Sequence, residues 1–395
     1  MSLFKLDNVI QNYAWGSKES ISKLFGIDNV NHQPQAEIWM GAHPNGCSRL
    51  ATTGELLSDV IARDRASMFG DYTMMRFGEL PYLFKVLAAD SPLSIQVHPS
   101  KRKAELGFVR ENEQGIPLDA PNRNYKDANH KPELVYALTF YKAMNGFRPI
   151  EQILTLFRQF GIRSLDGEVA ALAEHSNQDG LKGFFTAIMT LSEAHKIQAL
   201  AELDAALERG PKTALEREVL SYVAEFQKHY PQDIGLLSPL MLNTIELAPG
   251  EAMFLHAETP HAYVQGTALE IMANSDNVLR AGLTPKYIDV NELIANTAFH
   301  TTQPEQIKLS PIHKEGKLSY PIPVDDFGFD ILSSDEECKQ QFVRGAEIVF
   351  CVEGSVEVMT SETSLTLKAG ESAFITNDCK FYQYQGNGTL ARAYN

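Results

Sequence analysis

No proline occurs between Pro149 and Pro211, whereas on both sides of that stretch proline, glycine, asparagine and aspartate recur every few residues. Proline lacks an amide hydrogen and fixes φ, so helix interiors exclude it and a long proline-free stretch is where helices can accumulate. Within it, Ile150, Ile153, Leu154, Leu156 and Phe157 fall on one helical face, and Phe184, Phe185, Ile188, Met189 and Leu191 repeat the spacing. The pattern predicts helices over roughly 150–235, one of them Leu215 to Phe226, with Pro231 and Pro239 punctuating the exit.

Outside that stretch the apolar runs are short. Leu93 to Val97, Leu134 to Leu138, Met253 to His256 and Ile348 to Val352 read as strands between turn residues. Strands and helices do not alternate regularly, and no G-x-G-x-x-G or Walker-type loop is present, which argues against a doubly wound nucleotide fold. An internal similarity supports a repeated β-architecture. Pro249 to Leu255 and Ala369 to Ile375 align at an offset of 120 residues and share Gly, Glu and Phe in register. A Gly-Glu turn followed by an aromatic-containing strand suits a tight barrel corner. The expectation is a mainly β chain of two related jelly-roll barrel halves, interrupted by an α-helical insertion.

The 395 residues carry 50 acidic and 35 basic side chains, a formal charge of −15. A body this acidic is a poor non-specific binder of nucleic acid or anionic lipid, so neither is expected as a partner. Cys47, Cys338, Cys351 and Cys379 are scattered and form no C-x-x-C pair, which fits a reducing cytoplasm. The N-terminus lacks a basic start and continuous apolar segment, and no apolar run approaches the roughly 18 residues of a membrane span. A soluble cytoplasmic protein is expected.

Three segments carry candidate chemistry. In Ser94-Ile95-Gln96-Val97-His98-Pro99, strand alternation places Gln96 and His98 on one face and Ile95 and Val97 on the other. Alone, that pair suits a metal site or a polar edge strand. In His130-Lys131-Pro132-Glu133, Lys131 and Glu133 share a face, either as a surface ion pair or as a metal-binding carboxylate beside a substrate-contacting cation. In Glu258-Thr259-Pro260-His261, the preceding proline fixes the approach of His261, while His256 faces away from it in an extended chain. The position 120 residues beyond His261 is Phe381, so a metal site would belong to the first barrel only. Gln96, His98, Glu133 and His261 together form a candidate set of mixed N and O donors that leaves a divalent ion with residual positive charge. Downstream, the loop from Asn274 to Tyr287 carries Arg280 and Lys286 and could recognise phosphate or sugar hydroxyls, or serve as a solvated connection.

At these residues the sequence resembles the type I mannose-6-phosphate isomerase (phosphomannose isomerase) family, of the bacterial kind. The likeness lies in Asn12 to Gly16, Ala36 to Pro44, Ser94 to Pro99, Asn129 to Leu134, Glu258 to Gln265 and Glu270 to Asp289. The resemblance implies a cupin-type barrel formed by 1–149 and 236–315, a helical insertion at 150–235, and a metal-free jelly-roll domain at 316–395. It implies one zinc ion per chain on Gln96, His98, Glu133 and His261, with Arg280 as the catalytic arginine. Lys85, Lys131 and Glu270 would line the pocket, Ser94 and Lys286 would contact phosphate, and Glu270 or His130 would move protons. The implied reaction interconverts mannose 6-phosphate and fructose 6-phosphate through a cis-enediol, in a monomer. A cupin metal-dependent oxygenase and a non-catalytic sugar-phosphate-binding cupin are the competing readings; metal content and turnover separate them.

Overall fold

A computed structural model describes residues 2–314 and 316–395. The strands form two antiparallel sheets, each curled into a barrel. In the first, the long strand His261–Ala273 is the organising element. Its early residues pair with Tyr141–Phe147 and Ile95–Val97, and past Gly266 it changes partners to Tyr82–Ala89 and Glu133–Ala137. Leu279–Gly282 continues beside Ile95–Val97, placing Arg280 opposite Gln96. In the second sheet, Phe381–Tyr394 plays the same part, pairing with Lys339–Phe342 and then with Gly328–Ser334 and Glu347–Met359.

The internal repeat has a structural counterpart. Ala252–Leu255 and Ser372–Ile375 are both strands, and the preceding Gly250 and Gly370 both take left-handed backbone, with φ of 91° and 86°. Each following glutamate closes its own turn. The Glu251 carboxylate accepts from the Ala248 amide at 2.8 Å, and that of Glu371 from the Lys368 amide at 2.9 Å.

Strand register extends the match to charged residues. Leu255 stands opposite Glu133 as Ile375 stands opposite Glu347, and Lys85 stands opposite Glu270 as Asp330 stands opposite Arg392. The signs are reversed between the copies. Where the first barrel pairs Lys85 with Glu270, the second buries the Arg392 guanidinium against Asp330 at 2.6 Å and Glu347 at 2.7 Å. Internal cation and carboxylates therefore satisfy one another in the second barrel.

The helices run from Ile150–Phe160 through Ser238–Met241, so the helical region reaches a few residues beyond the stretch expected at 150–235. The helix Ala214–His229 covers the expected Leu215 to Phe226. The insertion packs its apolar faces against the first barrel, where Phe147 meets Phe185 and Phe299. Tyr222 also donates to the Ile245 carbonyl at 2.8 Å. The two barrels share a second core, in which Phe84 packs on Phe329 and Phe350, and the Tyr82 hydroxyl stands 3.0 Å from the carbonyls of Ala346 and Ala393. Leu3–Asp7, at the head of the chain, pairs with Ser372–Ile375 in the second sheet.

Candidate metal centre

Three strands of the first barrel bring His98, Glu133 and His261 together from distant parts of the chain. His98 follows Ile95–Val97, Glu133 opens Glu133–Ala137 and His261 opens His261–Ala273. All three are buried, and their ligand atoms lie within 4.8 Å of one another. The ring nitrogens divide their tasks. His98 Nδ1 lies 2.7 Å from the Asn277 carbonyl and His261 Nδ1 lies 2.9 Å from the Thr259 carbonyl, so both Nδ1 atoms serve as donors. In the neutral rings each Nε2 then carries a lone pair, and both face Glu133, at 3.3 Å from Oε1 and 3.6 Å from Oε2. His98 Nε2 is buried without a hydrogen-bond partner.

The electrostatics favour the ligand forms. Burial, reinforced by Lys131, lowers the pKa of His98; burial and the neighbouring His98 lower that of His261 to about 4. Burial alone would raise Glu133, but Lys131, His98 and His261 outweigh it and hold the carboxyl well below its usual range. Two neutral imidazoles and a carboxylate at this spacing fit a divalent ion such as zinc. Gln96 adjoins them. It stands opposite both His261 and Arg280 in the sheet, and its amide nitrogen donates to Ser94 Oγ at 3.3 Å, leaving the amide oxygen for another contact.

Beside this group lies a second buried cluster. Lys85 Nζ is 3.0 Å from Glu270 and 3.9 Å from Glu37, and sits 5.1 Å above the Trp39 ring. Burial would lower the Lys85 pKa, but Glu270 and Glu37 reverse the shift and raise it. Burial raises Glu270, and Glu133 adds to the effect against Lys85 and Lys131. Lys131 reaches Glu133 at 3.3 Å, as their shared face implied.

Lys85, Lys131, Glu133, His261 and Glu270 line one small cavity of about 60 Å³. Ser94 and Gln96 line both it and an adjoining cleft of about 210 Å³ containing Arg280 and Lys286. Among the described residues Arg280 has no ion-pair partner, and burial lowers its pKa; burial and Arg280 do the same to Lys286. Two unneutralised cations therefore face a cleft that opens from the metal centre. His130 is not brought there. Its Nε2 lies 2.9 and 3.0 Å from the Asp326 carboxylate, on the side facing the C-terminal part of the chain.

Sequence reasoning missed Glu37, Trp39, Tyr263 and Asn277. Trp39 Nε1 donates to Glu37 at 2.6 Å, and Tyr263 donates to Glu133 Oε2 at 2.5 Å. The alternation Glu37-Ile38-Trp39 on a strand could have flagged the first pair. Nothing local marks Asn277, whose backbone carbonyl orients a histidine far away in sequence.

Fold and site together define a double-barrel, cupin-type protein with one buried His–Glu–His group fit for a divalent ion. Residues 3–150 match the catalytic domain of type I phosphomannose isomerase, 163–242 its helical insertion domain, and 316–395 the mannose-6-phosphate isomerase cupin domain. The chain belongs to the type I phosphomannose isomerase family. It is 49% identical to the mannose-6-phosphate isomerase of Salmonella typhimurium over 99% of both chains, and 33% identical to that of Homo sapiens over 94% of this chain and 93% of the other. A crystal structure of mannose 6-phosphate isomerase bound with zinc and yttrium superposes with a TM-score of 0.94 at 47% identity, covering all of both chains.

Proposed function

We propose that the chain is a zinc-dependent aldose–ketose isomerase that interconverts mannose 6-phosphate and fructose 6-phosphate. The observation that carries this reading is the opening of a cleft with two cations, unpaired among the described residues, beside a buried His–Glu–His group, in a chain that matches members of this family over 99% of its length. Gln96, His98, Glu133 and His261 would hold the zinc. When bound, the ion supplies positive charge that polarises the oxygens of the open-chain sugar and stabilises the enediolate.

The remaining roles belong to the chain's own residues. Lys286 and Ser94 bind the phosphate at the open end of the cleft, which orients the sugar chain toward the buried end. Arg280 stays protonated, since guanidinium is a poor base, and stabilises negative charge developing on the substrate oxygens. Glu270 takes the C2 proton as a carboxylate; the C–H electron pair becomes the C1=C2 double bond as the C1=O π pair moves onto O1. Glu270 then returns the proton to C1 while the O2 hydroxyl passes its proton to O1 and C2=O forms. Burial raises the Glu270 pKa above the usual carboxylate value, which makes it a stronger base than an exposed glutamate. Lys85, in direct contact, pulls against that rise, and Lys131 adds positive potential beside Glu133. His130, held by Asp326, is left without a proton-transfer role.

The bulk charge of −15 is thus reversed locally for an anionic substrate. In our reading the chain acts as a cytoplasmic monomer without nucleic-acid or membrane partners. It divides at 1–149 with 236–315, 150–235 and 316–395. No helix among the described residues is long and apolar enough to cross a membrane.

The test is a coupled assay for hexose 6-phosphate conversion together with metal analysis, before and after exhaustive chelation. Conversion should disappear with the zinc and return on its addition. Full turnover by metal-free protein would sink the mechanism, and zinc-loaded protein without turnover would make the chain a sugar-phosphate binder.

A further inference from the structure

The cleft containing Arg280 and Lys286 is bounded on one side by the last residues of the helical insertion. Tyr230, just past the helix Ala214–His229, lines it and donates from its hydroxyl to the Pro92 carbonyl at 3.2 Å. Three residues later Asp233 caps the short helix Ile234–Leu237, its Oδ1 accepting from the Gly235 amide at 2.7 Å. The same carboxylate reaches into another part of the chain. Oδ1 also accepts from the Leu283 amide at 2.7 Å, and Oδ2 accepts from the Thr284 amide at 3.2 Å. Thr284 Oγ1 then accepts from the Lys286 amide at 3.1 Å.

The turn held in this way lies between the two cations and does not hold its own shape by local preference. Regular pairing with Ile95–Val97 is interrupted between Arg280 and Gly282, and Leu283 takes left-handed backbone with φ of 52°. Side chains disfavour that region, so a tertiary contact has to maintain it. The approach of the insertion is also close. A Cβ on Gly282, whose φ is 140°, would lie 2.8 Å from Gly235 Cα, and one on Gly235 would lie 2.8 Å from the Leu283 nitrogen. Three amides on one carboxylate disperse its charge, which allows an acidic residue to stand behind an anion site.

We propose that Asp233 is a positioning residue for substrate anion binding: from the end of the helical insertion it holds the 282–284 turn so that Lys286 faces the substrate phosphate. The proposal rests on the reading of this cleft as the phosphate site. It assigns the insertion a part in substrate affinity as well as in packing. Asp233 touches no substrate atom and acts only through the turn.

Two substitutions separate this from a helix cap alone. Asp233→Ser keeps an oxygen for the nearby Gly235 amide but is too short to reach Leu283 and Thr284, whereas Asp233→Asn keeps the oxygen that accepts from Gly235 and Leu283 and gives up only the longer bond from Thr284. For Asp233→Ser we expect KM for mannose 6-phosphate and the inhibition constant for inorganic phosphate both to rise about tenfold, with kcat within about threefold and zinc content unchanged, as loss of uniform binding requires. Asp233→Asn should restore both constants to within about threefold of the unsubstituted protein. Unchanged KM and phosphate inhibition in Asp233→Ser would overturn the proposal. So would a fall in both constants in the two variants, because that outcome marks simple charge repulsion. If Asp233→Ser does not fold, Thr284→Val decides: it removes only the acceptor for the Lys286 amide, and unchanged phosphate inhibition would overturn the proposal equally. The unsubstituted protein is assayed first. Absence of conversion there defeats the isomerase reading, whereas conversion with unaltered Asp233→Ser constants defeats the positioning role alone.

Discussion

Tyr263 shows how much of the metal centre depends on residues that would not touch the ion. Its buried hydroxyl donates to Glu133 Oε2, while Lys131 stands at Oε1, so each carboxylate oxygen has a defined neighbour before any metal arrives. Outer partners of this kind fix ligand orientation, and their loss typically lowers metal affinity about 10–100-fold. Tyr263→Phe should therefore release zinc to a competing chelator at correspondingly lower concentration while the protein stays folded. Identical chelator titrations for both proteins would show that Glu133 is oriented by other means. The two histidines carry the same lesson. Their Nδ1 atoms are engaged by backbone carbonyls of Asn277 and Thr259, which commits Nε2 to the ligand role. Strand alternation predicts Gln96 and His98 on one face, but it cannot find those carbonyls or the Asp326 carboxylate that holds His130. The Asn277 carbonyl and the Asp326 carboxylate come from segments distant in the chain.

At the scale of elements, the two Gly-Glu turns form a natural matched pair. Gly250 and Gly370 share a left-handed φ but have different surroundings. A Cβ on Gly250 would meet only the Tyr136 hydroxyl, at 3.8 Å, whereas one on Gly370 would lie 2.6 Å from Phe25 Cβ. Gly250→Ala should therefore lose about 1–2 kcal/mol, the cost of the backbone conformation alone. Gly370→Ala should lose more, because Phe25 must also move. Denaturant midpoints of the two variants measure the difference, and equal losses would mean that Phe25 yields freely. The turns were legible in sequence because their requirement is local: glycine for φ, glutamate to close the loop. Strand ends were less legible. The spacing predicts a strand over Leu93 to Val97, but the ladder covers only Ile95–Val97, because Ser94 lies at the cleft and Leu93 bonds instead to the Tyr263 carbonyl.

Across the whole molecule, the second barrel shows how the same fold holds buried charge when the chain supplies both the cation and the carboxylates. At ladder positions matching Lys85, Glu133 and Glu270 it carries Asp330, Glu347 and Arg392, an internally compensated and buried set. Removing the one guanidinium leaves two buried carboxylates for which Lys317, 3.5 Å from Asp330, is the remaining cationic partner among the described residues. Arg392→Met should therefore destabilise the protein by about 3–5 kcal/mol at neutral pH. Burial already raises the Glu347 pKa against the pull of Arg392, and loss of Arg392 raises it further above the unfolded value. The folded variant then binds more protons than the unfolded chain as pH falls, so its deficit relative to the unsubstituted protein should shrink between pH 7.5 and pH 5. Melting temperatures across that range test this, and a constant deficit would show that the carboxylates stay ionised. By itself the sequence determined what is set by neighbours in the chain: a proline-free helical insertion between β-textured segments, the paired turns, and donor types suited to one divalent ion. Tertiary structure alone decided which donors meet, because His98, Glu133 and His261 converge only through the register of three non-local strands. It also placed Leu3–Asp7 in the far sheet, and it set Asp330 opposite Arg392 in the register that Lys85 and Glu270 take in the first barrel. Register is chosen by the summed packing of residues hundreds of positions apart, and no local periodicity encodes it.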